Sequence, residues 1–200
     1  MALDQHLKKF TTKDKGAANY IKIGDAALNV FGNKYHITKD NLNEFYEHYK
    51  KHVFENNKEA YLVERQLENG KIAIDLDFRY ESSVTEKQHT IDHINDFIEL
   101  CMNGINELFD DLNNKPLSFY IFEKENVNSL DNVTKDGIHL IIDIVADFSE
   151  KLMFRNYIIE NIGDIWDDLP LQNDWNSVVD EAVMKGNAGW QLYGSRKPGN

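Results

Sequence analysis

The stretch Lys71-Ile-Ala-Ile-Asp-Leu-Asp-Phe-Arg-Tyr80 places two acids inside an apolar run. The segment Ile72-Ala-Ile74 predicts a β-strand, and side chains two residues apart on a strand point to the same face of a sheet. Asp75 and Asp77 therefore emerge side by side from a buried element. Like charges repel, and their burial is costly without a positive partner. A divalent cation is a suitable partner, because paired carboxylates bind Mg²⁺ or Mn²⁺ together with phosphate groups.

The composition indicates a folded protein and restricts its environment. Of the 200 residues, 42% are hydrophobic and 12% aromatic, which is enough for a packed core. The single cysteine, Cys101, excludes an intramolecular disulfide and favours a reducing compartment. No apolar run has the length of a membrane span and no signal peptide is visible, so we expect an intracellular protein without a membrane partner. The net charge of −12 argues against a large nucleic-acid surface, although lysines cluster in residues 1–22.

The order of predicted elements indicates an α+β protein. Asn69-Gly70 predicts a tight hairpin that pairs the strand at 61–65 with the strand at 72–78. A helix begins after Thr38, and Ser149 is the predicted N-cap of another helix. The remaining assignments are strands at 20–23, 34–37, 117–122, 137–144 and 190–193, with helices at 87–112 and 149–161.

From residue 71 onward the order strand, helix, strand, strand, helix, strand matches the ferredoxin-like split βαβ arrangement. We therefore expect an RRM/ferredoxin-like (βαββαβ) catalytic core at residues 67–200. A small N-terminal α/β lobe at residues 1–66 is expected to form one globular unit with it. The first and third strands of such a core are central neighbours, so Asp75 and Asp77 are expected beside His139.

A third acid occurs in a similar setting, because Asp180 follows Val178 and Val179. Two-metal phosphoryl transfer requires two carboxylates that bridge the metal ions and a further one that completes a coordination shell. Asp75, Asp77 and Asp180 meet that requirement if the chain brings them together. The alternative is a strand end at which the aspartates face water.

The strand at 137–144 contributes further polar candidates. Gly137 lies two residues before His139 on the same face, and the missing side chain allows a phosphate or sugar to approach the sheet. His139 is then a hydrogen-bond donor to that ligand, and Lys135 lies on the same face. The alternative for His139 is a structural core histidine.

The end of the chain offers a possible anion site. Ser195, Arg196 and Lys197 follow the tight turn at Gly194, where backbone amides can hold an anion and Lys197 can neutralise a triphosphate. The alternative is a solvated turn.

Two pairs of histidines have the i, i+4 spacing of a helical metal site, namely His48 with His52 and His89 with His93. Neither pair has an evident third ligand in the sequence. We therefore interpret all four as solvated.

The ordered motifs resemble those of the archaeo-eukaryotic primases, the primase-polymerase (PrimPol) superfamily. The Asp-x-Asp strand, the small-x-His sequence at 137–139 and the hydrophobic-Asp sequence at Asp180 correspond to its three motifs. The block at 177–198 is similar to the third-motif block of primase-helicases from large DNA viruses. The resemblance covers about residues 34–200.

The resemblance implies a template-directed nucleotidyltransferase, a DNA primase that makes primers on single-stranded DNA from nucleoside triphosphates. Asp75, Asp77 and Asp180 are implied as catalytic ligands of two Mg²⁺ or Mn²⁺ ions. The implied nucleotide-binding residues are Lys135, Gly137, His139, Gln191, Ser195, Arg196, Lys197 and Arg79. A downstream helicase domain in the full-length chain is also implied. If the protein is viral, the implied location is a cytoplasmic replication site of the host cell or the nucleus.

Two positions depart from the family pattern and leave alternatives open. Gly137 stands where serine is frequent and Gln191 where arginine is frequent, so Arg79 or Arg196 is expected to supply the missing charge. These losses favour a second interpretation, a catalytically weak primase-like module that binds DNA or recruits replication proteins. A haloacid-dehalogenase-type phosphatase is disfavoured by Arg79, two residues after Asp77. A glycosyltransferase is disfavoured because no N-terminal nucleotide-binding αβ fold is evident.

Overall fold

The structure, a computed structural model, describes residues 2–109, 116–186 and 188–199. It divides into two units, Met1–Gln66 with Ala188–Asn200, and Leu67–Asn187. Helices and antiparallel sheets occur in both units, which confirms the α+β class. The division into parts at residues 1–66 and 67–200, and the single globular unit that they are expected to form, stay predictions.

The first unit is a short-stranded sheet covered by helix. Its elements are α1 (Leu3–Leu7), β1 (Tyr20–Lys22), β2 (Asn33–Tyr35), α2 (Lys39–Lys50), β3 (Leu62–Arg65) and β8 (Gly189–Gln191), with a 3₁₀ turn at Lys8–Phe10 and a π-helical turn at Lys51–Glu55. The strand order is β2-β1-β3-β8, and every pair is antiparallel. As predicted, α2 begins after Thr38. Its buried side chains, Phe45 and Tyr49, pack onto the core of this sheet because they lie one helical turn apart.

The second unit contains the long strands of the molecule. Its elements are β4 (Gly70–Tyr80), α3 (Ile91–Leu108), β5 (Phe119–Glu123), β6 (Asn128–Ser129), β7 (Thr134–Ala146), α4 (Phe148–Asn161), α5 (Trp175–Val178) and α6 (Glu181–Met184), with a 3₁₀ turn at Ile162–Asp164. The sheet order is β4-β7-β5, antiparallel throughout, and β6 pairs with β7. The predicted strands at 72–78 and 137–144 are confirmed but longer than expected.

Alternation along β4 separates the core from the candidate site. The even-numbered residues from Ile72 to Tyr80, including Ile74, Leu76 and Phe78, are fully buried. They pack with the apolar side of α3 and with Trp166, whose ring stacks on Phe97 at 5.1 Å between centroids. Each such side chain contributes roughly 2–3 kcal/mol on burial. The odd-numbered residues are thereby left on the opposite face of the sheet.

The hairpin predicted at Asn69-Gly70 is wrong. β3 pairs with β1 and β8, whereas β4 pairs with β7 from Gly70 to Tyr80. The Asn-Gly signal is local, and the long ladder offered by β7 satisfies far more backbone groups of β4 than the four residues of β3 could.

The last strand of the predicted βαββαβ order is also misplaced. The predicted strand at 190–193 forms as β8, but it pairs with β3 in the first unit. Along the other edge of β4, the described residues form one antiparallel bridge, between Leu76 and Val179. The backbone of Asp180 turns into α6 directly afterwards, so a longer ladder does not form there.

The helix boundaries also differ from the predictions. α3 begins at Ile91 after Thr90 rather than at residue 87, and its predicted end at residue 112 lies outside the described residues. Asp147, not Ser149, caps α4, because its side chain accepts from the amide of Glu150.

Candidate active site

The candidate site lies on the face of the second sheet opposite the core. In the β4–β7 register, Asp75 is opposite His139, Asp77 is opposite Gly137 and Arg79 is opposite Lys135. Directly opposed residues of an antiparallel pair share a face. The side chains of Asp75 and His139 are 30% and 35% exposed, so a solute can reach them.

Each aspartate of β4 has a nitrogen partner. His139 Nε2 lies 3.3 Å from Asp75 Oδ1. Arg79 donates from Nε and Nη2 to Asp77 Oδ2, at 3.3 and 3.2 Å. These contacts use one oxygen of each carboxylate. The paired charges lower the cost of placing two acids on adjacent positions of one face.

Asp180 is brought to Asp75 by the backbone. The Asp180 amide donates to the Asp75 carbonyl at 3.0 Å, next to the Leu76–Val179 bridge. Val178 and Val179 are fully buried and anchor the segment in the core. The Asp180 side chain caps α6 by accepting from the amide of Ala182 at 2.9 Å. The backbone of Asp180 thus lies beside that of Asp75, and the prediction that the three carboxylates join at one site stays a prediction.

Arg155 of α4 holds the Asp180 segment in place, and the sequence reasoning missed it. Its guanidinium is buried and donates from Nε to the Val179 carbonyl at 2.9 Å and from Nη2 to the Asn176 carbonyl at 2.7 Å. These bonds satisfy carbonyls that have no ladder partner. An arginine on a helix usually faces solvent, so the role of Arg155 becomes visible only in the three-dimensional structure.

Asn173 fixes the same segment further along β4. Its Nδ2 donates to the Asp77 carbonyl at 2.8 Å, and its Oδ1 accepts from the Arg79 amide at 3.0 Å. The Gln172 amide adds a bond to the Arg79 carbonyl at 2.7 Å. The backbone that bears Asp77 is therefore held on both sides, by β7 and by this segment.

Gly137 has a different role from the one predicted. A Cβ built at Gly137 would lie 2.4 Å from the Leu76 carbonyl oxygen, which is far inside van der Waals contact. The close approach that requires glycine is therefore made by the neighbouring strand. The prediction that a phosphate or sugar occupies this space is not what the local packing indicates.

The residues predicted at the chain end lie in the first unit, whereas the aspartates lie in the second. The buried Ser195 hydroxyl accepts from the Leu62 amide at 3.1 Å and bonds the Tyr49 hydroxyl at 2.9 Å. The amides of Ser195 and Arg196 donate to carbonyls of Leu192 and Ala60. These groups are thus engaged in holding the tail to β3, not presented to an anion.

The side chains of the tail differ in their freedom. Gln191 Nε2 donates to the Ser195 carbonyl, and the Arg196 guanidinium pairs with Glu59 at 3.3 Å. Lys197 is exposed. Its predicted contact with a triphosphate stays a prediction.

His89 is buried, which corrects its interpretation as a solvated residue. Its Nε2 lies 2.6 Å from Glu123 Oε1, and its Nδ1 lies 3.4 Å from Asp136 Oδ2. Partial burial opposes ionisation of Glu123, but hydrogen bonds from His89 and Lys87 outweigh it and hold the pKa of Glu123 below its usual value. This cluster joins β5 and β7 on the core side of the sheet, away from Asp75.

The donor chemistry of the aspartates fits a hard divalent cation, since carboxylate oxygens suit Mg²⁺ and Mn²⁺. Among the described residues, three ligand atoms lie within 4.8 Å of one another only at His6, Glu44 and His48. The three aspartate carboxylates are more widely spaced than that. Their convergence on an ion requires side-chain rotation, chiefly of Asp180 out of its capping position.

The candidate site consists of the strand face with its Asp-x-Asp pair, the opposed His139 and the adjoining Asp180. A family model described as the C962R protein N-terminal AEP domain, where AEP denotes archaeo-eukaryotic primase, matches residues 25–200. The chain belongs to this family, which confirms the resemblance to the primase superfamily and to the domain of viral primase-helicases. No curated protein matches the chain.

Membership in this family indicates a general class of activity. The family indicates a primase-like nucleotidyltransferase that binds nucleotides and DNA, and its domains are typically metal-dependent. Within the described part of the chain, no helix has the combination of length and apolarity needed to span a membrane.

Proposed function

We propose that this chain is a DNA-directed primase, a primase-polymerase that makes primers on single-stranded DNA from nucleoside triphosphates. The observation that supports it most is the arrangement of Asp75 and Asp77 on one sheet face, with His139 opposite and the Asp180 amide bonded to the Asp75 carbonyl. Asp180 comes to the backbone of Asp75 from a distant part of the chain. Membership in the family adds independent support.

In this proposal, the aspartates provide oxygen ligands for a two-metal site of Mg²⁺ or Mn²⁺. When bound, the cations supply Lewis-acid activation of the 3′-hydroxyl and of the α-phosphate. His139 donates a hydrogen bond to the incoming nucleotide, and Lys135 adds positive charge on the same face. Arg79 compensates for the acid at Asp77 and is available to a phosphate.

We also propose that the second unit is an RRM/ferredoxin-like core with an unusual last element. Residues 172–180 then take the place of the final strand beside β4. The supporting contacts are the Leu76–Val179 bridge and the bonds from Gln172 and Asn173 to the β4 backbone. Because this segment pairs only briefly with β4, it can present Asp180 at the site. In a regular strand the Asp180 side chain would be buried or would point elsewhere.

A basic cleft in the first unit is our candidate contact for the template. It is lined by Thr12, Lys13, Ile21, Lys22, Gly32, Asn33 and Lys34. Lysines bind phosphate groups through charge, and release of counterions makes such binding dependent on salt. A local cleft of this kind reconciles DNA binding with the net charge of −12.

The protein is proposed to act inside the cell and, if it is viral, at a cytoplasmic replication site of the host cell or in the nucleus, with a helicase domain downstream in the full-length chain. The alternative function is a catalytically weak primase-like module that binds DNA or recruits replication proteins. Two observations favour it. The packing at Gly137 leaves no room for the expected serine, and Gln191 is bonded within the tail.

Primer synthesis on single-stranded DNA with Mn²⁺ tests the proposal. We expect the wild type to join nucleotides into primers on the template. The double variant D75A/D77A should synthesise primers roughly 10³-fold or more slowly, because charge stabilisation at the transition state is removed. Asp143→Asn is the matched control, since Asp143 is an exposed acid of β7 that pairs with Lys71 at 3.0 Å. Its rate should equal that of the wild type.

The same assay separates the two functions. Equal primer synthesis by the wild type and D75A/D77A would refute the proposal that this chain is a primase. A wild type that binds single-stranded DNA but adds no nucleotide under any metal condition would support the binding module.

A further inference from the structure

His6, Glu44 and His48 form a cluster in the first unit that has no part in the proposed nucleotide chemistry. Each offers one ligand atom, and these atoms all lie within 4.8 Å of one another. Glu44 and His48 are four residues apart on α2, so their side chains share a face of that helix. His6 reaches the same point from α1.

Within this cluster, His6 is the residue whose buried ring nitrogens lack hydrogen-bond partners and could bind a ligand. The residue is fully buried, and neither ring nitrogen has a hydrogen-bond partner. A buried polar group without a partner costs about 1–3 kcal/mol, so such groups are rare and usually explained by an ion or a function. Burial, together with the nearby His48, lowers the pKa of His6, which leaves the neutral imidazole that a metal requires.

The distances agree with a small coordination sphere. His6 Nδ1 and His48 Nε2 lie 3.4 and 3.8 Å from Glu44 Oε1. Ligand atoms placed tetrahedrally at about 2 Å from a zinc ion are about 3.3 Å apart, so each of these two distances to Glu44 would have to shorten by only about half an ångström or less. The carboxylate side of the cluster opens to an acidic groove that would attract cations, lined by Glu44, Glu47, His48, Lys51 and Glu55.

We propose that His6, Glu44 and His48 bind one Zn²⁺ ion. Two imidazoles and one carboxylate select zinc-class cations over Mg²⁺ or Mn²⁺, which prefer oxygen ligands. The three protein ligands leave one position for water or for a group entering from the groove. The ion ties α1, a helix of five residues that is too short to be stable alone, to α2.

Lys9 is a built-in competitor for this site. Its Nζ lies 3.7 Å from the same Glu44 oxygen, and its side chain is 49% exposed. A flexible, half-exposed lysine can withdraw when a cation of higher charge arrives. Replacement of Lys9 by methionine should therefore strengthen zinc binding rather than weaken it.

Zinc titration against a chromophoric chelator tests the proposal in the full 200-residue chain. The D75A/D77A background removes zinc binding at the aspartates, so the result does not depend on the proposed function. We expect one Zn²⁺ per chain, an affinity at least about tenfold weaker in Glu44→Gln and His48→Gln, and a tighter one in Lys9→Met. His52→Gln is the matched control, because His52 bonds the Glu59 carbonyl and lies outside the cluster.

Thermal unfolding provides a second readout that does not require catalysis. Zinc should raise the Tm of the parent by mass action, and it should raise that of Glu44→Gln and His48→Gln by less, because their affinity for zinc is lower. Both replaced side chains are partly exposed, so the metal-free variants should unfold at nearly the parent temperature. The proposal is overturned if either variant binds zinc like the parent, or if His52→Gln loses as much affinity as they do.

Discussion

The two sheets of this molecule use polar side chains in opposite ways. Strands of the first sheet are three or four residues long, whereas β4 and β7 have 11 and 13 residues. The short sheet recruits polar side chains for its own structure, as Ser195 does when it bonds the amide of Leu62 and the hydroxyl of Tyr49. The long ladder is held by its backbone. Its polar face, with Asp75 and His139, is therefore available for chemistry.

The Asp180 segment is the exception within the second unit, and it gives the largest expected effect. Because Arg155 holds Val179 and Asn176 by their carbonyls, Arg155→Met should leave two buried acceptors unpaired and cost about 3 kcal/mol of unfolding free energy. Primer synthesis should fall at least tenfold, about 1.4 kcal/mol in the barrier, as Asp180 loses its position. Urea unfolding and the primer assay measure the two effects.

The control for that prediction is Arg65→Met. Arg65 is exposed and donates to the carbonyls of Lys15 and Gly16, so its loss should change stability by less than about 1 kcal/mol. A wild-type primer yield from a folded Arg155→Met protein would show that the segment does not need this anchor.

The tight contact between β4 and β7 gives the next effect. Gly137→Ala forces a Cβ against the Leu76 carbonyl and should destabilise the protein by about 2 kcal/mol through overpacking. Gly16→Ala is the control, since the nearest neighbour of its Cβ is the Asp14 side chain at 3.3 Å, which can move. Denaturant midpoints of the two variants should differ clearly. Equal midpoints would mean that β4 and β7 move apart at Gly137 and accommodate the added Cβ at little cost in stability.

The tail of the first unit gives a smaller effect and separates structure from substrate binding. Ser195→Ala removes the acceptor of the buried Leu62 amide and should cost about 1–2 kcal/mol of stability. Its KM for nucleoside triphosphates should stay unchanged. Lys197→Ala should do the reverse, with unchanged Tm and a raised KM. A raised KM in Ser195→Ala alone would restore the anion-binding interpretation of Ser195.

The smallest expected effect is a pH dependence that originates in the first unit. In the folded state the pKa of His6 is lowered from 6.5 by burial and by His48 and Lys9, while Glu44 opposes the shift. The unfolded chain therefore binds the proton first, and metal-free stability should fall as the pH drops below 6.5. Urea unfolding in a chelator measures this slope, which should be absent in His6→Gln. A slope of equal size in that variant would assign the dependence to another group.

Local rules explain which parts of this fold the sequence predicts. The period of two on β4 places Asp75 and Asp77 on one face, and the helical period identifies the buried stripe of α3. Asn69-Gly70 fails because the choice of strand partner depends on β7, more than sixty residues later in the chain, and not on the turn.

The site shows the same limit. The partners of Arg155 are the carbonyls of Asn176 and Val179, and no residue type reveals which carbonyls lack a ladder bond. The i, i+4 spacing relates His48 to His52 on its own helix, but the neighbour of His48 in the structure is His6, on another helix. A prediction of burial from sequence places histidine and arginine at the surface. The contacts of Arg155 and of His48 with residues distant in sequence are therefore seen only in the folded structure.

The central claim is that Asp75, Asp77 and Asp180 together hold the catalytic cations. Anomalous diffraction from crystals soaked in Mn²⁺ and a nucleoside triphosphate measures this directly. We predict manganese peaks about 2.2 Å from oxygens of all three carboxylates, with the triphosphate bound to the same ions. Ordered triphosphate and manganese elsewhere, with Asp180 still capping α6, would contradict the claim.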